Sequence, residues 1–270
     1  MNDETGLPPL AVTLSREELL AILNVLRAPA IPGLDSEPSG ELTPEQEAFA
    51  IVVARRGLLA RGLAQLRADG EFLVQRGLLA AVGACAYAQD SILAYTWPAG
   101  AGAPQRLFGS IRGDDVVLHT RPAEVLHCFT LLKSKAELMA RVLAFCEFDA
   151  PPPAVPFDFT VPRQDFADAR QDAGAGNTAA ATALLVRDGA PEAAAASLAA
   201  IWANAPRVSV LQTVTQQGNQ AARAREFTLV QGGQPAWWAG LMPGDEATAP
   251  VRVKTVSGAE VQALLTGANA

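Results

Sequence analysis

Hydrophobic positions change their spacing several times along the chain, and each change marks a new element. Leu19, Leu20, Ile22, Leu23 and Leu26 recur at helical spacing behind Ser15-Arg16-Glu17-Glu18. That tetrapeptide is a capping box, with Ser15 as the cap and Glu18 at the third helical position. Pro29 and Pro32 end the helix, and residues 28–42 read as a loop. Thr43-Pro44-Glu45-Gln46 is a second capping box with Pro at the first helical position. It predicts a helix to about Arg61, with Phe49, Val52, Val53 and Leu59 facing inward and Gly62 as the stop. A short apolar piece at 63–66, a turn at Ala68-Asp69-Gly70 and a helix over 71–86 follow. From Asp90 the period becomes alternating, and 92–97, 107–111 and 116–120 read as strands, with Gly113-Asp114 as a hairpin turn. Pro122 is read as opening a helix over 122–133, and another runs from Lys135 to about Phe148.

The same succession returns further on. Pro151, Pro152, Pro153, Pro156 and Pro162 make an extended connector that cannot be helical. Short helices over 164–173 and 177–188 flank Gly174-Ala175-Gly176, and Pro191 starts an Ala-rich helix to Ala203. Strands are expected at 208–214, 226–230 and 236–241, with 251–256 as a candidate fourth. Ser257-Gly258-Ala259-Glu260 caps a last helix to about Thr266. Residues 71–133 thus read helix, three strands, helix, and residues 191–266 read helix, three or four strands, helix. Short loops make each strand group an antiparallel meander, whose apolar face the flanking helices must cover. The expected fold class is α+β, with two quasi-repeated halves, each an antiparallel β-meander flanked by helices, around a central sheet. The expected organisation is a single domain over 1–270, with halves at about 43–148 and 164–267 joined by a Pro-rich connector at 149–163.

Composition removes several function classes. Half of the 270 residues are apolar and 18% are charged, with a net charge of −7. Disordered chains have the opposite balance. No apolar run approaches the roughly 20 residues of a membrane span, so no membrane partner is expected. The first ten residues carry Asp3 and Glu4 rather than the basic start of a secretory signal, which points to the cytoplasm. Cys85, Cys128 and Cys146 show no paired spacing and read as buried, reduced thiols. His119, His127, Cys128 and Cys146 are zinc-ligand types, but their spacing fits no standard site and ordinary packing accounts for them. There is no nucleophile elbow, no zincin helix and no phosphate loop, and Ser91, Ser110 and Ser134 have no histidine at motif spacing. The chain is read as a non-enzyme, with no catalytic or metal residue and no cofactor.

What remains is binding chemistry. Gly100-Ala101-Gly102-Ala103 lies between Pro98 and Pro104 with no helix after it, so it reads as a hairpin tip rather than a phosphate loop. Trp237 and Trp238 point to opposite faces of one strand; one belongs to the core, and the other lies under a helix or serves as a binding anchor. The candidate partner-binding residues are Pro98, Gly100, Gly102, Pro104 and Trp238, with the tip 98–105 and the helices over 164–188 as the surface. Arg55, Arg56, Arg61, Arg67 and Arg76 raise a second reading, a winged-helix DNA-binding regulator using 44–113. The acidic balance opposes nucleic-acid binding, and a solvated face paired with Glu45, Glu47, Asp69 and Glu71 explains the same arginines. A ligand-binding protein or enzyme with a pocket between the halves is the third reading.

The order of elements resembles the EspG family of type VII secretion chaperones. It is carried by a helix over 14–27 and by a helix ending in Arg56-Gly57-Leu58 and Arg61-Gly62-Leu63. It continues through a helix leading into a strand over 78–95, a meander to Thr120 and the Pro-rich middle. A second meander with Trp237-Trp238 and a short last helix complete it. The resemblance implies two quasi-symmetric halves about a central sheet. It also implies a non-catalytic cytosolic chaperone or adaptor whose partner is a helical secreted heterodimer. It carries over no individual site residue.

Overall fold

The computed structural model describes residues 11–28, 30–34, 42–98, 103–204, 206–217, 220–232, 235–242 and 248–266. Strand β1 (Ala11–Ser15) leads into helices α1 (Arg16–Leu26) and α2 (Pro44–Ala60), a small hairpin of β2 (Ala64–Leu66) and β3 (Phe72–Val74), and α3 (Arg76–Ala86). Four strands follow, β4 (Asp90–Trp97), β5 (Gln105–Arg112), β6 (Asp115–Ala123) and β7 (Leu126–Leu132), and then α4 (Lys135–Phe145). The second run is β8 (Asp158–Val161), α5 (Arg163–Gly174), α6 (Thr178–Arg187) and α7 (Glu192–Ala203). It ends with β9 (Arg207–Gln217), β10 (Gln220–Gln231), β11 (Trp237–Leu241), β12 (Val251–Thr255) and α8 (Gly258–Thr266). Setting the small hairpin aside, one strand, three helices, four strands and one helix occur twice. The expected α+β class with two quasi-repeated halves is the fold observed, and β8 lies inside the segment expected as a connector.

The strands are hydrogen-bonded in the order β1-β7-β6-β5-β4-β9-β10-β11-β12-β8. In each run the leading short strand pairs antiparallel with the last strand of the meander, Ala11 opposite Thr130 and Val161 opposite Val251.

Local chemistry places the helices. The Ser15 hydroxyl accepts from the Glu18 N–H at 3.2 Å while the Glu18 carboxylate accepts from the Ser15 N–H at 3.0 Å. Thr43 and Gln46 make the same reciprocal pair on α2, and Ser257 and Glu260 make it on α8. Gly62, at φ +67°, ends α2 in a conformation that a side chain would strain.

Three expectations are corrected. Phe49, Val52 and Val53 do not face inward; they are exposed, and Ala54 and Leu58 are the buried positions of α2. The small residues Ala54 and Gly57 let α2 approach α1, so that a Cβ on Gly57 would stand 3.4 Å from a Glu18 carboxylate oxygen. Close helix contact selected the small face over the bulky one. Residues 71–86 are not one helix, because Gly70 at φ +86° reverses the chain and Phe72–Val74 pairs with Ala64–Leu66 before α3 begins. Residues 122–133 are not helical either. Leu126–Leu132 is a strand flanked by β6 and β1, so both of its edges are used. Pro122 falls where the β6–β7 ladder is irregular, between Thr120 and Ala123, and there its missing N–H breaks no regular pairing.

The chain forms two compact units. The first is Met1–Leu93 with Arg106–Leu138 and Val214–Arg223, and its core gathers Leu14, Leu19, Ile22, Leu58, Leu78, Val82, Val117 and Phe129. The second is Ala94–Gln105 with Met139–Thr213 and Ala224–Ala270, and its core gathers Phe159, Val161, Leu185, Leu198, Trp202, Val230, Trp237 and Val253. Among the described residues no helix is long and apolar enough to cross a membrane.

Candidate functional site

Helix α5 starts directly behind the edge strand β8, because Pro162 cannot donate to a sheet and is preset for a helix entry. Its buried positions, Ala169 and Ala173, are small, and Phe166 meets Trp202 of α7 edge-on with ring centroids 5.2 Å apart. The outer flank of α5 stands over the middle of β10, the end of β11 and the start of β12. Between them lies a groove of about 400 Å³, lined by Arg163, Phe166, Ala167, Arg170, Gln171 and Gly174 from α5. The strands contribute Glu226, Phe227, Thr228, Ala239, Gly240 and Val251. Its floor is apolar, its rim carries two guanidinium groups and one carboxylate, and all of its residues belong to the second unit. It thus offers van der Waals surface and charge complementarity.

Trp237 is fully buried and lies near Phe157 and Phe159, with centroids 6.1 and 6.2 Å away. Trp238 is half-buried and folds along its own strand, so that a Cβ on Gly240 would fall 2.6 Å from its ring. The indole fills the space a Gly240 side chain would take. It also lies 6.1 Å from the Phe227 ring, with the Lys254 ammonium 5.6 Å from its centroid. Trp238 therefore touches two groove-lining residues, Phe227 and Gly240. Pro98 and Pro104 are half-buried at the end of β4 and the start of β5 and do not line the groove. Gly100 and Gly102 lie outside the described residues. The expected surface over 164–188 contains Phe166 and Arg170, whereas Phe227 falls in the expected strand at 226–230 and carries no binding signal of its own.

The histidines form a different kind of site. His119 on β6 and His127 on β7 are each 1% exposed, with His119 Nε2 3.0 Å from His127 Nδ1. The His119 ring stacks on Phe129 at 4.6 Å and lies 5.3 Å from Phe108. Burial, then the neighbouring His127, pull the His119 pKa down to about 3; the Pro32 carbonyl works weakly the other way. By distance and angle, however, His119 Nδ1 closes no hydrogen bond. Cys128 is opposite Thr120, one residue out of step with the buried histidines, so its side chain leaves by the other face of the sheet. No group of three metal-ligand side chains occurs among the described residues. Cys85, Cys128 and Cys146 are free thiols, and burial pushes the Cys85 thiol up to about 12.

Three arginines of the run, Arg55, Arg61 and Arg67, are taken up by contacts within the fold. Arg61 bonds the Glu18 carboxylate at 2.5 Å and the Thr13 carbonyl at 2.7 Å, and Arg55 bonds Asn24 at 3.0 Å. Arg67 pairs with Glu71 at 2.9 Å. Helix α3 is buried at Leu78 and from Ala81 to Cys85, so it has no free face to enter a DNA groove. Residues 44–113 are therefore not a winged helix.

Neither a protein-family model nor a curated protein matches the chain. A solved structure does: that of the Mycobacterium tuberculosis type VII secretion system chaperone EspG5 in complex with the PE25–PPE41 dimer. The likeness covers 94% of this chain and 93% of that chain with a TM-score of 0.63, at 14% sequence identity. At that identity shared architecture is the finding, and it confirms the resemblance read from the order of elements. The chain has the fold of the EspG5 secretion chaperone.

Proposed function

We propose that this protein is a non-catalytic cytoplasmic chaperone or adaptor that holds a helical secretion substrate, a secreted heterodimer, in the groove beside α5. The observation that carries the reading is the likeness along nearly the whole chain to a chaperone solved with such a dimer. The groove supports it. An apolar floor with a charged rim suits the exposed end of an amphipathic helix pair, whose tip is apolar and whose flanks are polar. Trp238 backs the floor by holding Phe227 and Gly240.

The test is co-purification from the native host. A helical heterodimer is expected with the wild-type chain. With Phe166→Asp and Arg170→Glu together, its recovery is expected to fall by about tenfold or more, the effect of losing one anchor. Arg170 is exposed, whereas Phe166 packs on the Trp202 ring. Circular dichroism and a thermal melt check that the double variant folds, and Arg170→Glu alone is the variant that leaves the core untouched. Recovery unchanged by the double substitution removes the groove from the reading.

A second reading has one observation in its favour: a groove of about 400 Å³ is also the size of a small-molecule site. A thermal-shift screen separates the two, because a ligand bound well above its dissociation constant raises the melting temperature in the absence of any protein partner.

A further inference from the structure

We propose that the outer face of α2 is a self-association surface, on which two copies of this chain pack α2 against α2 in antiparallel register. The inference rests on no functional reading of the groove. Phe49 is 70% exposed, Val52 45% and Val53 48%, although α2 already buries Ala54 and Leu58 on its other side. At about 100° per residue, Glu45, Phe49, Val52, Val53 and Arg56 share one face roughly 100° wide. Single exposed apolar residues are ordinary, but three adjacent ones on one stripe of a helix mark a contact face.

The charges at the ends of the stripe select the occupant. Glu45 is in the first turn and Arg56 near the last, about 16 Å apart along the axis. Neither takes part in an ion pair among the described residues, whereas Arg55 beside them is spent on Asn24 and on the Phe72 ring, 5.4 Å away. An apolar stripe with an acid at one end and a base at the other is its own complement when inverted. In antiparallel register Glu45 of one copy stands opposite Arg56 of the other, and the same register sets Phe49 opposite Val52 and Val53 opposite Ala48. A two-fold axis between Ala50 and Ile51 generates each pair twice, as an isologous contact requires. Parallel packing would set Glu45 against Glu45 and Arg56 against Arg56. A 17-residue helix offers a small interface, so the dimer is weak and concentration-dependent.

Sedimentation velocity on the full chain, from micromolar to millimolar concentration, tests this. The expected result is a monomer–dimer equilibrium that Phe49→Asp weakens by about tenfold or more. Glu45→Arg and Arg56→Glu each place two like-charge pairs in the interface and weaken self-association by about tenfold. A mixture of those two variants restores opposite charges at every position, so the mixed dimer forms at least as well as the wild type. The doubly substituted Glu45→Arg, Arg56→Glu chain dimerises again by itself. A wild-type chain that stays monomeric throughout overturns the proposal, as it would if a different protein occupied this face. Dimerisation indifferent to both charge reversals, with no gain on mixing, also overturns it.

Discussion

Replacing Gly109 tests whether α4 is seated on the sheet as tightly as its geometry says. Gly109 lies in the middle of β5, opposite Leu118 of β6. A Cβ built there would stand 2.8 Å from both methyl carbons of Leu138 and 3.2 Å from its branching carbon. Contact between carbons is optimal at about 3.5–4.0 Å, so the overlap is about 0.7–1.2 Å on two methyls at once. Rotating the terminal bond of Leu138 exchanges its methyls and leaves the branching carbon in place. Leu138 is 0% exposed and cannot swing into solvent. Gly109→Ala is therefore expected to destabilise by about 1–3 kcal/mol through overpacking. Leu138→Ala alone should cost about 2–5 kcal/mol through the cavity it leaves. In the double variant the new methyl occupies part of that cavity and the overlap disappears. Its cost should fall short of the sum by about 1–2 kcal/mol. Urea unfolding of the four proteins of the cycle measures this directly, read as midpoints at constant slope. Additivity within about 0.5 kcal/mol would refute the account and mean that Leu138 does not hold this space.

Three further predictions follow from the same structure. His119 is held neutral with a pKa near 3 against 6.5 for the free side chain. The unfolded chain therefore takes up a proton that the folded chain refuses, and stability falls as pH drops from about 6.5 toward 3. His119→Gln should remove up to one proton's slope, about 1.4 kcal/mol per pH unit, from urea midpoints measured between pH 6.5 and pH 4. Glu18 is 7% exposed and accepts from both the Ser15 N–H and Arg61. Glu18→Ala should cost about 1–3 kcal/mol in the same assay, and Glu18→Gln less, since the amide oxygen still closes the cap. Arg252 and Asp158 form a two-point pair at 2.9 and 2.6 Å, but both side chains are close to half exposed. A double-mutant cycle on them should return under about 1 kcal/mol, falling further in salt.

Much of this architecture is legible in single residues. Ser15 with Glu18, Thr43 with Gln46 and Ser257 with Glu260 announce three helix starts, and all three caps close as hydrogen bonds. Such boxes are local, so four adjacent residues carry the whole signal. The errors arose where distant chain decides. Leu126–Leu132 has a proline shortly before it, which reads as a helix start. What makes it a strand is β1, whose Ala11 pairs with Thr130 across most of the half. On α2 apolarity suggests burial for Phe49, Val52 and Val53, whereas Gly57 and Ala54 fit where only small side chains do. The groove escaped for a similar reason. Phe166, Phe227 and Val251 share no local motif, and only the docking of α5 over three strands brings them together. Trp238 was visible as half of an unusual pair, but its contact with Gly240 depends on an indole folding back over a residue that lacks a side chain.

The pairing of each leading strand with the last strand of its meander has a consequence for how the chain is made. β1 leaves the ribosome first in its half, yet its partner β7 follows only after about 120 more residues. At ordinary rates of synthesis that is a wait of roughly ten seconds. Throughout that interval α1, α2 and α3 can collapse on one another, but the sheet they cover has no closed edge. β8 waits in the same way for β12, over about 90 residues. The nascent protein thus passes twice through a stage in which a finished helical layer sits beside an unfinished sheet. The first stage ends before the strands that begin the second have been made.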